Sequence, residues 1–440
     1  MVSHFRLIKS LICGALVSGY GLAHGQTVTQ LTLLDCYQRA AAQSEALAIS
    51  SESIRQAEAR YWQALSTVLP EVNLVASERL RNNRGGGFSG NSSGSDSGNG
   101  SGGSGGRRDR FETQLQVSMN IFRGFRDYHQ LGIAQASRRA SVADLLRDQH
   151  TLFLDVSDLY YQILSQRSDL AILQDLDAAL IQRIEELNER VQLGRSRSSE
   201  LLAARTEHVE NQASMRQVAG LISAGMELMA FLIARPVETF TLADDQPVTY
   251  AESLSNFLSG LARRPDLEAQ SQRVEISNRQ VSSARGAFLP TLDFQFNWLA
   301  LENPERDQDW NLFFTASLPV FDGGLRASEL SLKKSEARVS SLNLDRLRRL
   351  AEYDVRLAYS DFQSATSQLV VLSEAVQVAQ ANVSAQQEDY RLGRASNLDA
   401  LNALIRYHGV RRRQALTTYL TRSTLNALHV ASGELPATAR

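Results

Sequence analysis

The chain has 440 residues, 43% of them hydrophobic, with 46 Lys and Arg against 48 Asp and Glu and a formal net charge of −2. That balance supplies no basic field for nucleic acid, and the length allows two or three ordinary domains or one long repetitive body. Two cysteines, Cys13 and Cys36, are too few for a disulfide scaffold.

In chain order, residues 1–25 read as a signal peptide. His4, Arg6 and Lys9 precede an apolar stretch from Leu11 to Tyr20, and Ala23-His24-Gly25 offers small residues at the −3 and −1 positions of a cut before Gln26. Cys13 has no small residue before it, which argues against a lipoprotein cut, and leader removal leaves Cys36 alone. No later run approaches the ~20 continuous apolar residues of a spanning helix. A helical pattern from Ser44 closes at Leu69-Pro70, and a strand over about 71–81 follows. Residues 82–109 form a loop, whose Gly/Ser run at 85–106 has Phe88 as its only apolar side chain. The next strand, 110–122, alternates strictly, with Phe111, Thr113, Leu115, Val117, Met119 and Ile121 against Glu112, Gln114, Gln116, Ser118 and Asn120.

From Asp127 to Val191 there is no proline, and apolar residues step by three and four through Leu152, Val156, Leu159, Ile163, Leu173, Leu176, Leu180, Ile184 and Leu187. This is coiled-coil spacing. The helix stops at Gly194, and a return helix from Ser198 to Ala234 is about half as long. Residues 236–262 connect the halves with short mixed elements that predict a belt at mid-height. A helix from Arg264 closes at Leu289-Pro290, followed by strands over about 291–300 and 310–321. A second long helix spans 324–393, a second return helix runs from Ser396 to Val430, and 431–440 is a tail.

The chain is internally duplicated. Leu69-Pro70 and Leu289-Pro290 are offset by 220 residues, whereas Phe122 and Phe321, or Gly194 and Gly393, are offset by 199. The Gly/Ser run absorbs the difference, so it is a loop inserted in one copy rather than a domain linker. The repeats are 26–235 and 263–430. Within each, the long helix is expected beside two shorter ones placed end to end, Ser198–Ala234 with Arg264–Leu289 and Ser396–Val430 with Ser44–Leu69.

Four period-two strands of about 9–11 residues in an exported chain predict a transmembrane β-barrel. Phe111, Trp298 and Trp310 near the loops, and Phe122 and Phe321 at the other end, form its aromatic girdle. Four strands cannot close a barrel when about eight is the minimum, and an open edge in lipid leaves peptide groups unpaired. The chain must therefore oligomerise with two, three or four copies.

No catalytic set is present, so an enzyme is excluded for want of convergent polar groups. The seven histidines show no metal-ligand spacing, and no cofactor motif occurs. The functional candidates are the two helix turns. Gly194 and Gly393 permit a left-handed stop, Ser396-x-x-Asp399 reads as a capping box, and Arg195, Arg197, Arg391 and Arg394 with Leu392 form an exposed tip. A carboxylate, Glu200 or Asp399, follows each turn.

Leu69-Pro70, Leu289-Pro290, "FRG" and "FDGG" at the strand-to-helix junctions, and the turn "YRLGRASNLDAL" resemble the TolC family of outer-membrane export channels. The turn is similar to that family's Tyr-x-x-Gly-x-x-x-x-x-Asp-x-Leu pattern at Tyr390, Gly393, Asp399 and Leu401. The resemblance covers about residues 30–430. It implies an α+β membrane protein, a homotrimer with a 12-stranded barrel in outer-membrane lipid, four strands per chain, and a coiled-coil tunnel through the periplasm. The implied partners are a periplasmic adaptor protein and an inner-membrane ABC or proton-driven transporter. It also implies that Asp399 lines a periplasmic constriction, where Glu200, the carboxylate after the first turn, is expected as well. Asn402 stands where some relatives have a second acid, so a double acidic ring is not expected. Absence of a lipid-bearing cysteine is closer to the type I protein secretion branch than to drug efflux. Small-molecule efflux is the alternative within the class, and a pore-free periplasmic coiled-coil protein the alternative outside it.

Overall fold

A computed structural model describes residues 29–79, 110–244, 253–299 and 310–435. The signal peptide, the Gly/Ser run with its loop 82–109, the turn at 301–309 and most of the tail lie outside the described residues, as does 245–252 of the connection.

The elements fall into two halves joined by a short connection. The first half is β1 (Thr29–Leu31), α1 (Leu33–Gln43), α2 (Glu45–Ser66), β2 (Glu71–Arg79), β3 (Arg110–Arg123), α3 (Arg126–Gln192) and α4 (Ser198–Ile233). After β4 (Phe240–Leu242) and α5 (Leu254–Gly260), the second half is α6 (Pro265–Gly286), β5 (Thr291–Leu299), β6 (Trp310–Ser317), α7 (Leu325–Arg391) and α8 (Asn397–Ala431). Helices α3 and α7 have 67 residues each, so each is roughly 100 Å long at ~1.5 Å per residue.

One antiparallel sheet holds β2-β3-β5-β6 in that order. Its register sorts the alternation into two faces. Val72 and Leu74 lie opposite Val117 and Leu115, which in turn lie opposite Phe296 and Trp298, and these oppose Leu312 and Trp310. This face is apolar on every strand, and the other carries mainly amides and hydroxyls. Two details depart from the sequence reading. A register shift between Asn120 and Phe122 sets Phe122, not Ile121, opposite Leu292. The strand expected to reach 321 ends at Ser317, because Pro319 has no N–H for a ladder and restricts the residue before it.

The helices repeat the strand order. Near the sheet, α2 packs on α3, α6 on both α3 and α7; away from it, α4 packs on α3, α8 on both α3 and α7. The upper part of α3 buries Ala134, Ala136, Ala140 and Ala143, small side chains that let neighbouring helices come close. The interleaved position of α3 accounts for its 21 buried residues against five in α7, which has one side uncovered.

The expected end-to-end pairing of short helices is exchanged. Helix α6 stands on α8, and α2 continues α4 by way of α1. The joint is specific: Arg264, 3% exposed, donates to the Ala431 carbonyl at 3.1 Å and to Asp354, and forms a two-pronged pair with Asp266 at 2.7 and 3.0 Å. Gly433, at φ 88°, lets the chain turn against the Arg264 backbone, and a Cβ there would come within 2.9 Å of the Arg264 nitrogen.

From the connection, β4 pairs in parallel with β1. The Tyr160 hydroxyl of α3 donates to the carbonyls of Leu31 and Ala243. Around it lies the largest core, with Phe153, Val156, Ile163, Met229 and Phe240. Cys36 is fully buried there, and burial pushes its thiol up to about 12. One stretch within α4 is long and apolar enough by composition to cross a bilayer, although it is not a continuous apolar run. Its Met226, Met229, Ala230 and Ile233 are buried in this core, while Leu228 and Phe231 are exposed.

Candidate functional site

The two helix turns lie side by side at the end farthest from the sheet. Leu176, Leu180 and Leu187 of α3 pack on Leu201 and Ala204 of α4 and on Leu401 of α8. Both turns are left-handed glycine stops. Gly194 has φ 66° and Gly393 φ 75°, and the amides of Arg195 and Arg394 reach back to the carbonyls of Arg190 and Asp389, each at 2.8 Å. No atom lies within 4 Å of a Cβ built on either glycine. Backbone handedness, not space, demands glycine there.

The starts of the return helices differ. Ser396 and Asp399 form the capping box read from the sequence: the Asp399 carboxylate accepts from the Ser396 amide at 3.0 Å and hydroxyl at 2.6 Å. These bonds, hydroxyl first, hold the Asp399 carboxyl below the usual range. Arg197 makes no side-chain cap on α4; the Ser196 hydroxyl donates to Glu200 at 2.8 Å instead. Asn397, Ala400 and Leu401 turn inward, leaving Asp399 and Asn402 exposed together, three residues apart on one face of α8.

Of the four tip arginines, Arg391 is paired, donating to Glu388 at 3.0 and 2.9 Å. Among the described residues, Arg195, Arg197 and Arg394 make no side-chain hydrogen bond or ion pair, and all three are exposed. Leu193 and Leu392 beside them are 68% and 50% exposed. The tip is thus cationic and apolar at once.

A contact absent from the sequence reading joins the two hairpins. The guanidiniums of Arg183 and Arg190 on α3 lie 4.4 and 4.7 Å from the ring centroid of Tyr390 on α7, within the range of cation–π attraction. Both arginines also pair with Glu186, at 2.9 and 2.7 Å. Burial raises the Tyr390 hydroxyl above its ordinary value, with the Glu186 and Glu200 charges adding to that and the two arginines opposing it. Tyr390 was visible in the turn pattern, but its partners stand in the other half of the chain and no spacing rule reaches them. Farther from the tip, Arg412 of α8 grips buried Asp169 of α3 with two bonds, at 2.5 and 2.9 Å.

At the sheet, Trp298 and Trp310 are directly opposed on the apolar face and are 46% and 59% exposed. Phe122 packs edge-on against Phe125 with centroids 5.1 Å apart, and Phe321 is 89% exposed just beyond the end of β6. Phe111 sits in β3 opposite Glu78, its side chain outside the described residues. Phe125 itself takes φ 61°, where its twin position is Gly324 at φ 91°. Among the described residues no group of His, Cys, Asp and Glu could hold a metal.

Residues 36–223 and 259–434 match the family described as outer membrane efflux protein. The chain is 24% identical over 62% of its length to the multidrug resistance outer membrane protein MdtP of Escherichia coli K12, and 21% identical over 73% to the outer membrane protein TolC of the same strain. These alignments span 59% of MdtP and 68% of TolC, so the chain covers less than two thirds of some curated relatives. Among solved structures, the CusC channel superposes with a TM-score of 0.79 at 18% identity, covering 95% of this chain and 96% of CusC. At that identity the likeness is one of fold.

Proposed function

The chain belongs to the outer membrane efflux protein family of TolC-type channels, which are not enzymes, and from that membership we propose that it is the outer-membrane exit channel of a tripartite export system. The observation that carries the proposal is the sheet with two open edges above a slab of helices about 100 Å long. Among the described residues strands β2 and β6 have no outer partner, and an unpaired strand edge costs several kcal/mol per peptide group in lipid. Helix α7 likewise leaves Leu325, Leu332, Val339 and Tyr353 exposed, spaced at multiples of seven, with Ile49 and Trp62 exposed on α2 at the opposite edge. Three copies joined edge to edge give 12 strands and a continuous tunnel. The apolar face then meets lipid, the Trp298–Trp310 pair lies at the outer rim, and Phe122 and Phe321 lie at the periplasmic rim.

In this reading the tip is both gate and docking site. Asp399, with Asn402 behind it, lines the constriction, and Glu200 stands beside Tyr390. Arg195, Arg197 and Arg394, with Leu193 and Leu392, meet a periplasmic adaptor that links the channel to an inner-membrane transporter. The proposed cargo is a protein delivered by type I secretion. Small-molecule efflux is the second reading, favoured by the likeness to MdtP, a protein named for multidrug resistance. Fractionation tests the proposal: the mature protein should sediment with outer membranes and, in detergent, have three times the protomer mass. A soluble monomeric rod in the periplasm would refute it.

A further inference from the structure

The polar face of the sheet carries a feature that the channel reading leaves unassigned. At one register position all four strands present a primary amide: Asn73 opposes Gln116, Gln116 opposes Asn297, and Asn297 opposes Asn311. Gln114 and Gln295 flank this row on the same face. The amides already bond to one another. Asn297, 7% exposed, donates to Asn311 at 2.8 Å and accepts from Gln295 at 3.3 Å, and Asn73 donates to Glu71 at 3.1 Å. Of the charged residues in register on this face, Glu71 and Asp293 stand nearer the helices and Arg79, Arg110 and Glu112 toward the other end of the strands.

An amide side chain offers donors and an acceptor and carries no charge at any pH. Resting on the channel reading, which turns this face to the lumen, we propose that the amide row is a specificity-determining track for the backbone of an extended polypeptide. Peptide groups carry the same planar donor–acceptor pair as Asn and Gln, and the Gln295–Asn297–Asn311 chain displays that complementarity within the wall. A charged wall would hold cargo side chains of opposite sign, whereas an amide wall passes both signs. Sugars are a poorer fit, because they stack their C–H faces on aromatic rings. The sheet's paired aromatics, Phe294 with Phe314 and Phe296 with Trp310, lie on the opposite face, and among the described residues the amide face carries one aromatic, Phe313 opposite Gln295. Because strands in a barrel are tilted, the row runs obliquely up the wall, one such track per copy.

The test uses the full-length trimer in planar bilayers, with an uncharged unfolded Gly-Ser peptide and a dextran of equal hydrodynamic radius as probes. In Asn73→Ala/Gln116→Ala/Asn311→Ala, which leaves buried Asn297 in place, peptide blockades should shorten about tenfold, the weight of roughly one net hydrogen bond. Dextran blockades should be unchanged. Gln116→Glu, which keeps the shape and adds charge, should lengthen blockades by a cationic peptide and shift the reversal potential toward cation selectivity. Unchanged peptide blockades in an otherwise conducting triple variant overturn the track, and so does a larger loss for dextran than for peptide. Absence of conductance in the unsubstituted protein instead overturns the channel reading beneath it.

Discussion

Tyr390 is the joint whose removal should open the tip. Its ring lies against two guanidiniums, at 4.4 and 4.7 Å, one turn above the Gly393 stop. Each cation–π contact at a partly exposed site contributes about 0.5–1 kcal/mol, so the two contacts hold the two hairpins together by about 1–2 kcal/mol. Losing them shifts a two-state equilibrium by about 5- to 30-fold. Tyr390→Leu keeps apolar bulk and removes the π face; Tyr390→Phe keeps the face and removes the hydroxyl. In single-channel recordings the Leu variant should spend a correspondingly larger fraction of time in the high-conductance state, and the Phe variant should resemble the parent. Equal open probabilities for Leu and parent would refute the reasoning. A Phe variant as open as Leu would show that the hydroxyl, not the ring, carries the contact.

Four further outcomes follow from the geometry. Asp399→Asn retains an acceptor for the Ser396 amide while removing the charge, so the reversal potential under a KCl gradient should move toward zero; an unchanged value would sink the constriction assignment. Gly393→Ala forces an alanine into φ 75° with ample room and should cost about 1 kcal/mol, read as a lower thermal midpoint, whereas Gly409→Ala, at an open site in α8, should not. Arg412→Met strands the buried Asp169 carboxylate and should destabilise by about 2–3 kcal/mol, near the lower end for a broken buried pair because Arg412 is partly exposed; Asp169→Asn in the same chain should recover part of the loss.

The fourth concerns acid. His150 and His408 are 6% and 4% exposed, and burial first, then Arg147 and Arg411 respectively, depress their basicity. Asp266 and Arg264 also face His150, and Asp175 and the Ile172 backbone face His408. A histidine more acidic when folded contributes stability fully above its unfolded value near pH ~6.5. That contribution is lost as pH falls through the interval down to the depressed folded value. Unfolding midpoints should therefore drop between pH 7 and 5, and His150→Gln/His408→Gln should flatten the drop.

What the sequence disclosed follows from the range of each interaction. Strand faces were legible because alternation is local: Trp298 and Trp310 fall on one face by counting, and the register agrees. The capping box at Ser396 and Asp399 and the glycine stops were legible for the same reason. The stacking of short helices was not. The helix and strand patterns of the two halves are alike, so nothing in either half says which return helix meets which until Arg264 docks on Ala431. The Phe122 register shift was hidden because an inserted residue reads as continued alternation. Tyr390 found its arginines only through tertiary folding.

Ion conductance through the purified, detergent-extracted protein in a planar bilayer tests the central claim most directly. Discrete steps of uniform size, cation-selective and scaling with intact trimers, are expected. A protein that inserts without conducting, or conducts only as irregular leaks independent of trimer content, would contradict it.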